Sequence, residues 1–264
     1  IRDLVRSRGL GDVYKRQPLM QNSYTGVRKA PTFKSIIRDV ENENGDIINS
    51  NTTCFYRRDL DWRGLGDYLM YKYLDKDKVN VYSYGCSDGS EAMSLAILLK
   101  EGYDYKSRKF YPIYAKDNDE FILNKIRSSN IKMYFSDIDN VDEYSYNHLG
   151  RYFEIFPQTP QDESMIAHPT YELNSKIRYS KANALKDVHK LPSENTVLMI
   201  RNIMPYIGTK SQQDEFINNV ITKLQKNCVV IIGTDEEQMG IGEKLENSGF
   251  VKTKLHHVYE TVNK

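Results

Sequence analysis

A chain of 264 residues, 39% hydrophobic and 28% charged, is long enough for one domain with an appendage or two small domains, and its composition excludes a disordered polymer. A net charge of +1 leaves no global basic field to attract nucleic acid, and the longest apolar run, Leu95–Leu99, is far too short to cross a bilayer. No charged start leads into the apolar core of a signal peptide, and Cys54, Cys86 and Cys228 are odd in number and far apart, so a cytoplasmic location, three reduced thiols and no metal site are expected.

The first seventeen residues, "IRDLVRSRGLGDVYKRQ", are basic without an amphipathic period and read as a non-native or disordered arm, with a native basic arm as the rival reading. Residues 18–78 read as an N-terminal extension; "ENENGD" within it is a turn, and "TTCFYRRDLDWRGLGDYLMYKYL" contains a helix. From Val79 onward, strands and helices alternate. Strands are predicted at Val79–Tyr84, Phe110–Ala115, Ile177–Ser180, Thr196–Ile200 and Val229–Ile232. Helices are predicted at Glu91–Lys100 and Asp119–Ile126. Another opens on a capping box at Ser211–Asp214, with Phe216, Ile217, Val220, Ile221 and Leu224 inward, and a last one ends at Gly249 before a C-terminal extended stretch. This alternation predicts an α/β domain over residues 79–264, with a mostly parallel sheet covered on both faces. Residues of about 133–176 are polar, aromatic and turn-rich, break the rhythm, and read as an inserted subdomain.

Between the first of these strands and its helix lies "YSYGCSDGSEA", which two chemistries would use. Gly85-Cys86-Ser87-Asp88-Gly89 spells G-x-S-x-G, the elbow that presents a nucleophilic serine, and Asp235 with His256 or His257 follows in the order a hydrolase needs. No histidine and no H-G-G type oxyanion loop precedes the motif, however. The same letters suit a glycine turn that lets a nucleotide-like cofactor approach the backbone, and then the next strand should end in a carboxylate for ribose hydroxyls. "YPIYAKDND" supplies Asp117 there, with Asp119 as the cap of the following helix. No Gly-Lys-Ser/Thr follows the glycines, and G-x-x-x-G is not the dinucleotide spacing, so an adenosine-bearing cofactor without a pyrophosphate remains, and S-adenosylmethionine fits.

"NTTCFYR", "GCSDGSEAMSLAILL", "IYAKDND", "GRYFE", "IRYSKANAL" and "IRNIMPYIG" then occur in the order found in the CheR-like chemotaxis-receptor methyltransferases, and over Asn51–Gly233 the chain resembles that family. The family reads N-x-T-x-F-F-R, A-G-C-S-T-G-E-E-x-Y-S-L-A, A-T-D-I-D, N-L and C-R-N-V-x-I-Y-F. The resemblance implies a Rossmann-like class I methyltransferase with a mostly parallel seven-stranded sheet, helices on both faces and a small inserted β-subdomain. It further implies S-adenosylmethionine as cofactor and glutamate side chains of a receptor protein as substrate. By position, Asn51, Thr53, Gly85, Glu91, Asp117, Asn183, Ala184, Arg201 and Asn202 match cofactor-binding residues, while Arg57 and Tyr206 match active-site residues. An ionised glutamate is already a nucleophile at neutral pH, so Arg57 would fork onto the incoming carboxylate and Tyr206 would orient it by a hydrogen bond. The plainer alternative pairs Arg57 with Asp59 and leaves Tyr206 to pack.

Five departures stand against the family pattern: Asp88 for threonine, Ser90 for glutamate, Ala184 for leucine, Arg58 for an acid, and "GTDEE" for a G-H-S-E ending. The helical N-terminal domain of the family reads as short or missing. These leave a degenerate member that binds cofactor or partner without catalysis as the alternative, and a hydrolase using Ser87 as the third reading. The partner expected is a protein, possibly the cytoplasmic region of a chemoreceptor, docking on the insertion; neither nucleic acid nor oligomerisation is expected. Asp137–Asp142 fails as a calcium loop, lacking glycine at its sixth position, and reads as a solvated acidic turn, while His256-His257 reads as a surface pair on a strand.

Overall fold

The chain builds its main sheet outward to one side of the first sheet strand, then crosses back to the other side, and that crossing places the site. The computed structural model describes residues 53–157 and 164–262, together with strand backbone at 38–41 and 47–51. The basic N-terminal arm and residues 42–46 of the "ENENGD" turn lie outside the described residues. β1 (Arg38–Glu41) and β2 (Ile47–Asn51) pair antiparallel, and α1 (Trp62–Lys72) is the helix expected in the aromatic stretch. Asp61 caps it by accepting the Gly64 N–H at 2.9 Å.

The rhythm then runs β3 (Asn80–Tyr84), α2 (Ser90–Tyr103), β4 (Ile113–Asp117), α3 (Glu120–Arg127) and β5 (Ile131–Tyr134). It continues with α4 (Phe135–Tyr144), α5 (Leu149–Tyr152), β6 (Phe153–Pro157), β7 (Ser164–Pro169), α6 (Tyr171–Asn174) and β8 (Ile177–Lys181). The last third comprises α7 (Ala184–Asp187), β9 (Thr196–Ile200), α8 (Lys210–Lys223), β10 (Val229–Ile232), α9 (Thr234–Gln238), α10 (Ile241–Asn247), β11 (Phe250–Lys252) and β12 (Val258–Thr261).

Seven strands form one sheet in the order β11-β12-β10-β9-β3-β4-β8, parallel from β10 to β8, with β12 antiparallel to both β10 and β11. Register aligns Val81 with Ile113 and Val197, Ile113 with Ile177, and Val197 with Val229, so one row of apolar side chains crosses five strands on one face. That face packs on α1, α2 and α3 through Trp62, Leu65, Leu69, Leu95 and Leu123. Leu198, Ile200, Val230 and Ile232 point to the other face and meet Phe216, Ile217 and Val220 of α8 and Leu245 of α10. A leucine or isoleucine buried this fully contributes about 1.5–3 kcal/mol. α2 is buried along all of Ser90–Leu99, which explains why its sequence is a near-continuous apolar run rather than a stripe.

Some boundaries differ from expectation for local reasons. β4 starts at Ile113 rather than Phe110, because a 3-10 helix runs to Phe110 and Pro112 has no N–H for a ladder. The capping box of α8 lies two residues earlier than predicted: Gln212 N–H donates to Thr209 Oγ1 at 3.4 Å and Thr209 N–H to Gln212 Oε1 at 2.8 Å. The irregular middle of the chain forms a three-stranded antiparallel sheet, β5-β7-β6. Its Ile131, Met133, Val141, Phe153 and Met165 share one apolar cluster with α2. At the same junction Glu101 of α2 accepts from Arg151 Nη1 and Tyr152 Oη, each at 2.6 Å.

The chain leaves β3 toward β4 and β8, then returns to β9 on the other side of β3. Crevices form beyond the carboxyl ends of parallel strands where the order reverses in this way.

Candidate functional site

A cleft opens at this reversal. It is lined by Tyr84 and the Gly85–Ser87 turn, Glu91, Asp117–Asp119, Ala182–Leu185, Arg201–Ile203, Tyr206–Gly208 and Gln212, with Thr53 and Arg57 of the preceding segment. Every site residue expected from the sequence lines it except Asn51, which ends β2 and whose side chain lies outside the described residues.

Gly85 has a φ of +62°, and a Cβ there would meet Ile203 Cγ2 at 2.3 Å, so both backbone sign and space demand glycine. Ser87 also sits in the left-handed region, at φ +49°, and its N–H donates to Asp117 Oδ2 at 2.7 Å. Asp117 Oδ1 accepts the Asp119 N–H at 2.9 Å, while Asp119 caps α3 by accepting the Phe121 N–H at 2.9 Å. Asp119 is thus the helix cap expected from the sequence, and Asp117 lines the cleft. Burial pushes the Asp117 carboxyl above the usual carboxylate range despite these amides. The departures at 88 and 90 prove to be partners. Both the N–H and the hydroxyl of Ser90 donate to Asp88 Oδ1, and Ser90 is fully buried.

Behind the turn lies a buried ion-pair network. Arg201 Nη1 donates to Glu91 Oε1 at 2.7 Å and its Nη2 pairs with Asp59, while Arg57 Nε stands 3.5 Å from the same Glu91 oxygen. Thr234 Oγ1 donates to Asp59 Oδ2 at 3.1 Å, and the Arg201 guanidinium lies 5.5 Å from the centre of the Trp62 ring. Burial opposes ionisation of Asp59, and Arg201 and Arg57 outweigh it, holding its carboxyl below the usual range. The pairing expected between Arg57 and Asp59 is therefore largely exchanged: Arg201 takes Asp59, and Arg57 pairs with Glu91.

The segment carrying Thr53 and Arg57 is pinned from two sides. Phe55 N–H donates to Asp137 Oδ1 at 3.1 Å, Tyr56 N–H to Ser94 Oγ at 3.0 Å, and Asn140 Nδ2 to the Phe55 carbonyl at 3.1 Å. This corrects the acidic stretch Asp137–Asp142. It is not a solvated turn but part of α4, and Asp137 is fully buried because it caps that helix through the Tyr134 N–H and holds Phe55. His257 is likewise not a strand-surface residue. It is buried at φ +64° in the turn between β11 and β12, and neither His256 nor His257 lines the cleft. Ser87 thus has no histidine beside it among the lining residues, and the hydrolase reading loses its base.

Glu236 was not among the sequence candidates. Its fully buried carboxylate accepts the N–H groups of Asn202 at 2.6 Å, Ile203 at 2.8 Å, Met204 at 2.9 Å and Gly233 at 2.9 Å. Burial raises its carboxyl above the usual range, with the four amides opposing. The "GTDEE" departure hid it: the sequence keeps the final glutamate of G-H-S-E while changing the two letters before it. A Cβ on Gly233 would lie 2.1 Å from Asn202 Oδ1, so the glycine is kept for the side chain opposite.

Residues 51–253 match the family described as CheR methyltransferase, SAM binding domain. The chain belongs to this family. Two chemotaxis protein methyltransferases are similar to it, that of Borreliella burgdorferi at 23% identity over 86% of this chain and 82% of that protein, and that of Salmonella typhimurium at 23% over 72% and 61%. The chain thus spans less than two thirds of the Salmonella protein's length. Among solved structures, the N-methyltransferase NodS from Bradyrhizobium japonicum WM9 in complex with S-adenosyl-l-homocysteine aligns over 82% of this chain and 94% of that chain, with 10% identity and a TM-score of 0.36. This CheR-family chain is an S-adenosylmethionine-dependent methyltransferase of the Rossmann-like class. Its cleft fits that cofactor: a side-chain-free turn at Gly85 opens onto it, the Asp117 carboxylate lines it from the next strand, and acidic Glu91 stands in the first turn of α2. No helix among the described residues is long and apolar enough to cross a membrane.

Proposed function

We infer that this protein methylates a glutamate carboxylate on a protein substrate of the chemoreceptor kind. The observation that carries this reading is the make-up of the cleft lining, which includes the Arg57 guanidinium and the half-exposed Tyr206 but neither lysine nor histidine among the lining residues. Such a lining receives an anion and needs no general base, because a carboxylate enters already ionised.

S-adenosylmethionine supplies an electrophilic methyl group when bound. Asp117 would bind the hydroxyls of its sugar, and the Gly85–Ser87 turn with Asn183 and Ala184 would hold the rest of the nucleoside. Arg57, kept in orientation by Glu91, draws in the acceptor carboxylate, and Tyr206 donates to its non-attacking oxygen. Glu91 and Arg201, buried and paired, neutralise one another and leave the Arg57 guanidinium to attract the anionic acceptor. The chemotaxis names of the relatives support a receptor as the acceptor, and the antiparallel sheet β5-β7-β6 is the surface we assign to docking it.

Incubation with methyl-labelled cofactor and a chemoreceptor cytoplasmic fragment is expected to give label that alkali releases as methanol, the signature of a carboxyl ester, and Arg57→Ala is expected to abolish it. Cofactor binding without transfer to any such fragment, unchanged in Arg57→Ala, would instead establish a non-catalytic family member.

A further inference from the structure

Asn202, Ile203 and Met204 turn three successive N–H groups onto one point, with Asn202 left-handed at φ +57° and Ile203 right-handed at φ −106°. Alternation of this kind makes a concave nest of amides, a conformation that favours an anion at its centre. Here the anion is internal. Glu236 reaches across from α9 and fills the nest, and its fourth donor, Gly233, ties the carboxyl end of β10 to that of β9. Gln213 of α8 adds a bond from its Nε2 to the Met204 carbonyl at 3.0 Å.

We propose that Glu236 is a positioning residue of the methyltransferase site, setting the conformation of the Asn202–Met204 loop and through it the places of Arg201 and Tyr206 in the cleft. Arg201 begins this loop and anchors the Glu91–Asp59 network, while Tyr206 ends the 3-10 turn that follows it. The left-handed Asn202 stores conformational energy that an unfilled nest would not hold, and a non-glycine residue keeps such a conformation only where its surroundings over-determine it. Four N–H donors converge on two carboxylate oxygens. A glutamine in the same place replaces one acceptor by a donor, which faces donors and opens the nest.

The inference rests on the cofactor reading above, and its test separates the two. S-adenosylhomocysteine is titrated calorimetrically into wild type, Glu236→Gln and Glu236→Asp at a temperature where each is fully folded. Loss of global stability does not by itself change an affinity measured on fully folded protein. We expect binding to weaken roughly tenfold in Glu236→Gln, while Phe250→Leu on the far edge strand, destabilised without touching the loop, keeps wild-type affinity. The amide proton resonances of Asn202, Ile203, Met204 and Gly233 shift upfield together in Glu236→Gln as their charge-assisted bonds are lost. An affinity within twofold of wild type in a folded Glu236 variant overturns the proposal. Should neither variant fold, hydrogen exchange in wild type decides: slow exchange at Asn202, Ile203 and Met204 supports the clamp, and exchange as fast as in an open loop removes it. Wild type that binds no S-adenosylhomocysteine refutes the cofactor reading, and the same exchange result then decides the clamp on its own.

Discussion

The carboxylate of Asp117 and the backbone N–H of Ser87 meet at 2.7 Å, tying the end of β4 to the glycine turn after β3. The acid therefore holds the turn in shape and offers its remaining lone pairs to the cleft. Hydrogen bonds to a charged group are worth about 1.5–3 kcal/mol, roughly one to two decades of affinity. Asp117→Ala should weaken S-adenosylhomocysteine binding by about 10- to 100-fold in calorimetry. Because burial raises the free-protein pKa of Asp117, its protonated form appears at a higher pH than for an ordinary aspartate. A ligand that needs the carboxylate must then lose affinity as pH falls through that raised value. Wild-type binding should decline as acid is added, at a higher pH than an ordinary aspartate would require, and Asp117→Asn should show a flat profile; parallel profiles would remove Asp117 from the ligand set.

The second expectation concerns Arg201, whose side chain is fully buried between Glu91 and Asp59. Removing one member of a buried ion pair leaves its partners uncompensated, at about 3–5 kcal/mol. For a chain of this size each kcal/mol lowers Tm by about 2–4 °C, so Arg201→Ala should melt roughly 6–20 °C lower. Asp59 adds a pH dependence of definite sign. Its folded pKa is depressed, so its contribution is present above the unfolded value of about 3.9 and is lost as pH falls through the lower folded value. Thermal melts from pH 7 to pH 3 should fall more steeply below about pH 4 in wild type than in Asp59→Asn.

The sheet was legible from the sequence because buried parallel strands such as "TVLMI" and "VVII" carry their signal locally, and β9 and β10 lie where that signal put them. Gly85, Asp117, Asn183 and Arg201 were legible because each stands at or just past the carboxyl end of such a strand, whereas Thr53, Arg57 and Tyr206 were placed by the family resemblance alone. What escaped depended on long-range partners. Asp137 looks like part of an acidic turn until Phe55, distant in sequence, brings its N–H to it. Glu236 is one acid of three in "TDEE", and only the fold shows that this one faces inward to four amides while Asp235 and Glu237 do not. Local composition carries no record of which acid is buried.

The thiols make a third test. Burial raises the Cys86 thiol well above its ordinary range and, to a lesser degree, those of Cys54 and Cys228. The thiolate is the reactive form, so all three should react sluggishly with iodoacetamide in the native protein and promptly once it is unfolded in guanidinium. Mass spectrometry of a timed series should show Cys54, the one half-buried thiol, modified before the buried Cys86 and Cys228. Rapid labelling of Cys86 in folded protein would mean that the turn opens far more than its packing on Ile203 implies.

The most informative pair of substitutions is Asp88→Thr with Ser90→Glu, which restores the family letters at both departures. Ser90 is fully buried and gives both its N–H and its hydroxyl to Asp88 Oδ1. Asp88→Thr alone leaves the Ser90 hydroxyl without its carboxylate acceptor. Ser90→Glu alone sets a second carboxylate against the first in a site closed to water, where like charges are most costly. Made together, the changes remove that repulsion and let the threonine cap the helix. Urea denaturation of the four proteins should therefore give a coupling energy of about 1–3 kcal/mol, with the double variant more stable than the sum of the singles requires. Additivity within about 0.5 kcal/mol would show that the two departures arose independently. Coupling instead identifies them as one exchange, in which a short capping aspartate and a serine do the work that a threonine and a glutamate do elsewhere in the family.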